Sequence, residues 1–223
     1  MNIAAYIDHT ILKQTTGKND VATVCAEARE YHFTAVCIPP LFVKQAAEAL
    51  KDTTVKVATV IGFPFGYTYS HIKEQEALTA INDGAQELDM VINVGALKDG
   101  NLDDVENEIA LLAKLSRQHG VTSKIIVESG ILTDDELIQC CRILGRHEID
   151  FMKTSTGYAD KGASVEAVHI MRQHLPAPIQ IKASGGIRTY EFARQLVDAG
   201  ATRLGCSASI AITKGENHSD NNY

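Results

Sequence analysis

Two lysines, Lys153 and Lys182, stand where short apolar runs give way to polar, glycine-ended turns. In Phe151-Met152-Lys153-Thr154-Ser155-Thr156-Gly157, strand alternation puts Phe151, Lys153 and Ser155 on one face and Met152 and Thr154 on the other. In Ile179-Gln180-Ile181-Lys182-Ala183-Ser184-Gly185-Gly186, the two isoleucines face one way and Gln180, Lys182 and Ser184 the other. A lysine on the interior face of a strand end is costly to bury as an ion. Its presence there points to use of its amine. If both strands belong to one closed sheet, two ammonium groups converge. That lowers the pKa of one and yields a nucleophilic amine.

The acidic partners of such chemistry are also at strand ends. Asp89 lies in Glu87-Leu88-Asp89-Met90-Val91-Ile92-Asn93, where Leu88, Met90 and Ile92 share one face and the polar residues, with Val91, the other. Asp8, Glu128 and Cys37 are placed similarly. Two amines and a carboxylate suit imine chemistry. A neutral amine attacks a carbonyl, and the protonated imine then draws electrons from the adjacent C–C bond. Here Lys182 keeps Lys153 partly neutral by like-charge repulsion. Asp89 moves protons, and Asp8 faces Lys182 across the barrel. The competing reading makes Lys153 and Lys182 structural ion-pair partners of Asp89 and Glu128. Buried ion-pair networks rarely add stability, which favours the chemical reading.

Small-residue turns lead into helices at Ser184-Gly185-Gly186 and Gly205-Cys206-Ser207. Their backbone N–H groups form an expected phosphate cradle, with Arg188 or Arg203 assisting. As simple turn formers the same glycines carry no function. Cys37 reads as a core thiol at the mouth, with no histidine placed to activate it. Thr154, Ser155 and Thr156 are expected to hydrogen-bond the turn, and the aromatics of Phe63–Tyr69 to pack at the rim. Lys56 and Lys124 read as strand starts, away from the chemistry. The eight histidines show no ligand spacing, so neither a metal nor another cofactor is expected.

These residues need a scaffold that brings strand ends together. Short strands recur around Tyr6–Thr10, Ala35–Ile38, Lys56–Gly62, Glu87–Asn93, Lys124–Glu128, Phe151–Lys153, Ile179–Lys182 and Arg203–Cys206. Helical patterns fill the gaps: Asp20 to about Tyr31, Val43–Leu50, Ser70 (as cap) to Ile81, Asp103 to Gly120, a Thr133–Glu136 capping box, Ala163–His174 and Thr189–Asp198. Eight alternating units predict parallel strands closed into a (β/α)8 TIM barrel. An open doubly wound sheet is the alternative, weakened by the absence of GxGxxG after the first strand. One domain is expected over residues 1–223, with a polar tail from about 215.

Composition sets outer bounds. The 223 residues are 45% hydrophobic and 22% charged, as in a globular protein. A net charge of −7 argues against general affinity for nucleic acid or anionic membrane. No apolar run reaches membrane-spanning length and no signal peptide is recognisable. A cytoplasmic protein is therefore expected. Five cysteines without CxxC read as reduced thiols.

Five stretches carry a resemblance in order and spacing: Ile7-Asp8-His9-Thr10, Glu87 to Asn93, Phe151 to Gly157, Ile181-Lys182-Ala183-Ser184-Gly185-Gly186-Ile187-Arg188, and Arg203-Leu204-Gly205-Cys206-Ser207. Together the chain resembles the deoxyribose-phosphate aldolases over nearly its whole length. The resemblance implies a class I, metal-free aldolase on a (β/α)8 barrel. Its reaction would be reversible cleavage of 2-deoxy-D-ribose 5-phosphate to D-glyceraldehyde 3-phosphate and acetaldehyde. It further implies Lys153 as the Schiff-base lysine, Lys182 as its pKa-lowering partner, Asp89 as the proton relay and Asp8 as support for Lys182. Gly185, Gly186, Gly205 and Ser207 would bind the phosphate, with Cys37, Thr156 and a C-terminal Tyr223 as further mouth residues. Some relatives carry a lysine where this sequence has Tyr158, with Lys161 further on. A homodimer is expected. A transaldolase-like enzyme and a catalytically silent sugar-phosphate-binding barrel are the alternatives.

Overall fold

The computed structural model describes residues 1–215; the expected polar tail and Tyr223 lie outside them. The strands are β1 (Ile7–Thr10), β2 (Ala35–Ile38), β3 (Lys56–Ile61), β4 (Glu87–Val91), β5 (Thr122–Ile126), β6 (Phe151–Lys153), β7 (Gln180–Ser184) and β8 (Arg203–Cys206). They pair in parallel and in sequence order, and β8 returns to β1, closing the barrel. The helices are α1 (Lys18–Tyr31), α2 (Val43–Leu50), α3 (Ser70–Asn82), α4 (Val94–Lys98), α5 (Leu102–His119), α6 (Asp134–Leu144), α7 (Val165–His174), α8 (Tyr190–Asp198) and α9 (Ser209–Lys214). The (β/α)8 barrel read from the sequence is the architecture found.

Apart from strand-opening residues such as Lys56 and Gln180, the strands are largely buried on both faces, but the faces differ in chemistry. Outward residues such as Leu88, Met90, Ile125, Met152, Ile181 and Leu204 join the apolar layer under the helices. Inward residues include Asp8, Asp89, Lys124, Lys153 and Lys182, each at most 3% exposed. The side-chain period of two makes register decisive, since a one-residue slip would move every inward charge into the apolar layer. The pairing places Asp89 opposite Lys124 and Lys153 opposite Lys182.

Several boundaries differ from the sequence reading. β5 begins at Thr122, whose N–H donates to the Gln86 carbonyl. Lys124 is therefore mid-strand and points into the barrel, which corrects its reading as a strand-start residue on the stability face. Lys56, by contrast, opens β3 and is exposed. The expected capping box holds: Thr133 accepts from the Glu136 N–H and Glu136 accepts from the Thr133 N–H at 2.7 Å. Ser70 is the first helical residue and makes no side-chain cap. Asn93 accepts from the Ala96 N–H at 3.1 Å and starts α4, a short helix with too little sequence to announce itself.

A buried ion pair fixes the exit of β4. Lys73 of α3 donates to the Val91 carbonyl at 2.8 Å and to Glu108 of α5 at 2.6 Å. The other Glu108 oxygen accepts from the Asn93 N–H at 2.5 Å. Both side chains are excluded from water. Removing one partner strands the other as an uncompensated buried charge. Lys73→Met is therefore expected to destabilise the protein by about 3 kcal/mol, measured by urea unfolding. Adding Glu108→Leu should recover much of that loss.

Candidate active site

One connected ion-pair cluster fills the barrel. Asp89 is its hub. One carboxylate oxygen accepts from Lys153 and Lys182, each at 2.7 Å, and the other from Lys124 at 2.8 Å. Lys124 also meets Glu87 at 2.6 Å. Lys182 donates to Asp8 at 2.5 Å. Arg203 donates to the second Asp8 oxygen at 2.6 Å and lies 3.2 Å from Glu87.

The cluster joins three carboxylates, Asp8, Glu87 and Asp89, to four cationic side chains, Lys124, Lys153, Lys182 and Arg203. Fully ionised, it carries one positive charge too many for a dry interior. The excess falls on Lys153. Burial pushes its pKa below the ordinary lysine value; Asp89 opposes that and the Lys182 charge adds to it. Burial also works against the charged form of Lys182, but Asp8 and Asp89 outweigh it and hold that pKa up. Lys124 is raised in the same way by Asp89 and Glu87 against burial. Burial favours the neutral acid at Asp8 and Asp89, yet the surrounding cations prevail. Asp8 is lowered to about 2 and Asp89 held well below the usual carboxylate range.

A cavity of about 390 Å³ opens at the C-terminal ends of the strands. Of the three clustered lysines, Lys153 alone lines it. Thr156, Tyr158, Ser184, Gly185, Gly205, Ser207 and Arg188 share the wall. The arrangement offers an amine of lowered basicity to a molecule in the cavity and keeps a second amine, Lys182, of raised basicity behind it. Imine formation is chemistry that such a pair can carry out.

The expected phosphate residues divide. Gly185, with φ +86°, packs its backbone against Gly162, a contact closed to any larger residue. It and Ser207 lie on the cavity wall, as do the cations Arg188 and Lys13. Gly186 is exposed and not among the lining residues. Gly205 belongs to β8, and a Cβ there would come within 3.2 Å of the Lys182 stem and 2.9 Å of Ser184. Its smallness makes room for Lys182. Arg203 is not at the mouth. It is the first residue of β8, beside the strand-opening residues Glu87 and Phe151, and its guanidinium lies 5.3 Å from the Phe151 ring centroid. Lys161 is exposed and outside the lining set.

The turn after β6 is held from behind. Glu128, in the left-handed region at φ +57°, accepts from the Thr156 hydroxyl and from the Thr156 N–H at 3.2 Å. It does not ion-pair with Lys153 or Lys182, contrary to the structural reading of the lysines. Burial raises its pKa. Thr154 donates its hydroxyl to the Ser184 carbonyl at 3.2 Å. Ser155 departs from the expected turn bonding: its hydroxyl is buried and has no protein partner. Cys37 is an inward thiol packed with Ala58 and Val60, and burial raises its pKa. All five cysteines are free and buried. Among the described residues no group of three His, Cys, Asp or Glu is arranged to hold a metal.

Sequence reasoning missed Lys124 and Glu87 as cluster members, although Glu87 shares the Asp89 face and could have been read with it. It also missed His9. That side chain bonds Ser209 at 2.8 Å and Glu27 at 2.7 Å, tying α9 and α1 to β1 beside the cavity. The partners are 200 and 18 residues away, and nothing local signals them.

The chain matches the model of the DeoC/LacD family aldolases over residues 2–212. It is 47% identical to the deoxyribose-phosphate aldolase of Streptococcus gordonii over 221 residues, covering 99% of this chain and 100% of that one. It is 46% identical to that of Thermococcus gammatolerans over 222 residues, covering 99% of each. Among solved structures, the tetrameric deoxyribose phosphate aldolase of Aeropyrum pernix superposes with a TM-score of 0.88 at 31% identity, covering 95% of this chain and 89% of that one. The chain belongs to the DeoC/LacD aldolase family.

The electrostatics give a signed expectation. Lys182→Met removes a cation that disfavours protonated Lys153, so the Lys153 pKa rises. The pH midpoint for modification of Lys153 by a small amine-reactive reagent, followed by peptide mass spectrometry, should move upward. An unmoved midpoint would take Lys182 out of this role.

Proposed function

We propose, with membership of the DeoC/LacD aldolase family as the premise, that the chain is a deoxyribose-phosphate aldolase working through a lysine Schiff base. It cleaves 2-deoxy-D-ribose 5-phosphate reversibly to D-glyceraldehyde 3-phosphate and acetaldehyde. The observation that carries the reading is Lys153. It is the amine of the buried cluster that lines the cavity, and its pKa is pushed down while those of Lys124 and Lys182 are pushed up.

Neutral Lys153 Nζ attacks the aldehyde carbon of the open-chain sugar, forming a C–N bond. Loss of water gives a protonated imine. The C3 hydroxyl gives up its proton, the C2–C3 bond breaks, and its electron pair moves into the imine as an enamine. Glyceraldehyde 3-phosphate leaves. The enamine takes a proton at C2, and water releases acetaldehyde and the free amine. Asp89 is bonded to both Lys153 and Lys182, so a proton passing between those nitrogens passes through its carboxylate. Its low proton affinity makes it a transient carrier. Asp8, shared with Arg203, keeps Lys182 charged. Gly185 and Ser207, on the cavity wall, form the phosphate side in this reading, with Arg188 adding charge, while Gly205 makes room for Lys182 and Gly186 stays outside the lining. Thr156 completes the mouth, and Cys37, expected there, is instead buried among Ala58 and Val60. No metal or cofactor enters these steps.

The chain is read as a cytoplasmic homodimer. No helix among the described residues is long and apolar enough to cross a membrane. Phe65, Tyr67 and Tyr69 form an exposed aromatic group suited to self-association.

Borohydride reduction in the presence of acetaldehyde, followed by peptide mapping, should leave an ethyl group on Lys153. Lys153→Ala should remove both the adduct and turnover, by at least about a thousandfold, with an unchanged circular dichroism spectrum. An adduct on Lys182 would exchange the two roles. Folded protein with no adduct would favour the silent sugar-phosphate-binding barrel.

A further inference from the structure

Beside the main cavity lies a second of about 190 Å³. Its walls are mostly apolar, from Pro64, Phe65, Val91, Val94 and Ile131, with the Glu128 carboxyl among them. Two residues, Thr156 and Tyr158, line both cavities. They are the partition. A molecule joined to Lys153 sits on one side of it, and the apolar chamber is on the other.

The partition is braced at each end. The Tyr158 hydroxyl donates to the Leu12 carbonyl at 2.6 Å, which ties the loop after β6 to the loop after β1. Its ring meets Phe63 edge-on, with centroids 5.4 Å apart and planes at 87°. Its N–H donates to the Thr156 hydroxyl oxygen at 3.0 Å, and that hydroxyl donates in turn to buried Glu128. On this fixed backbone the ring cannot swing aside without losing both the hydrogen bond and the aromatic contact.

We infer that Tyr158 is the residue that sets aldehyde length in this protein. The second chamber, whose outer rim at Phe65 and Ile131 is exposed, is a subsite for the apolar chain of a longer aliphatic aldehyde, and the Tyr158 ring keeps it out of reach of Lys153. The inference rests on the reading of Lys153 as the imine-forming amine. The partition itself is a matter of geometry and is tested separately below.

The first test is a competition. Wild type and variants are reduced with borohydride in equal acetaldehyde and hexanal, and ethyl and hexyl adducts on Lys153 are counted by mass spectrometry. The wild type should be mainly ethylated. Tyr158→Ala should raise the hexyl-to-ethyl ratio at least about tenfold, the effect of burying one to two further methylenes at roughly fourfold in affinity each. Tyr158→Phe keeps the ring and should change the ratio by less than about threefold. Val94→Phe added to Tyr158→Ala refills the chamber and should return the ratio to the wild-type value. An unchanged ratio in folded Tyr158→Ala overturns the partition while leaving imine chemistry standing. Tyr158→Val serves the same purpose should the alanine variant fail to fold.

The second test needs no reaction. Intermolecular NOEs should show one molecule of 1-hexanol touching both Val94 of the second chamber and Leu12 of the main cavity in Tyr158→Ala, and no such bridging molecule in the wild type. Should the wild type form no ethyl adduct, the Schiff-base reading fails and this measurement still decides the partition. A bridging molecule in both proteins, or in neither, overturns it.

Discussion

The structure turns on a charge imbalance in a dry space. Three carboxylates face four cationic side chains inside the barrel, and water is not there to screen them. Removing one proton brings the set to neutrality. The geometry decides which nitrogen gives it up. Arg203 is beyond reach of titration, Lys182 has two carboxylates beside it, and Lys124 has two. Lys153 has one, and shares it with both other lysines. The weak basicity of one amine is thus a property of the whole ring of strands.

The scaffold exists to hold that imbalance. Inward residues of β1, β4, β5, β6, β7 and β8 supply it, and the apolar outer faces of the same strands lock their register under the helices. The polar interior is costly, and the apolar outer layer is what stabilises the barrel against that cost. At the mouth the work passes to turns. Glu128 and Thr156 fix the loop that follows Lys153, and close glycine contacts at Gly162 and Gly185 leave a wall of backbone where a ligand can approach.

Much of this was legible in the sequence, because alternation is legible. The two faces of the β4, β6 and β7 stretches gave Asp89, Lys153 and Lys182 their common interior. The eight-fold recurrence of strand and helix gave the barrel. Lys124 was lost for a local reason: Thr122-Ser123 does not look like a strand start, and a two-residue error in the boundary moved the lysine from the centre to the edge. Arg203 was assigned to the mouth because it neighbours Gly205-Cys206-Ser207, although a four-residue strand carries it to the opposite end. His9 with Glu27 and Ser209, and Tyr158 with Leu12, are tertiary pairings without periodicity, so composition and spacing could not disclose them. Glu128 was visible as a strand-end carboxylate, but its partner, a threonine rather than a lysine, was not.

The Asp8–Lys182 contact joins residues 174 apart, and Asp8–Arg203 residues 195 apart. Only a piece of chain that reaches from Asp8 to Lys182, or from Asp8 to Arg203, contains both ends of the respective bond. A growing or broken chain therefore holds lysines of ordinary basicity, almost wholly protonated near neutral pH. The selective amine comes into being when the last strand finds the first. The lowered basicity of Lys153 is withheld until the ring is closed and the amine lies against its own cavity.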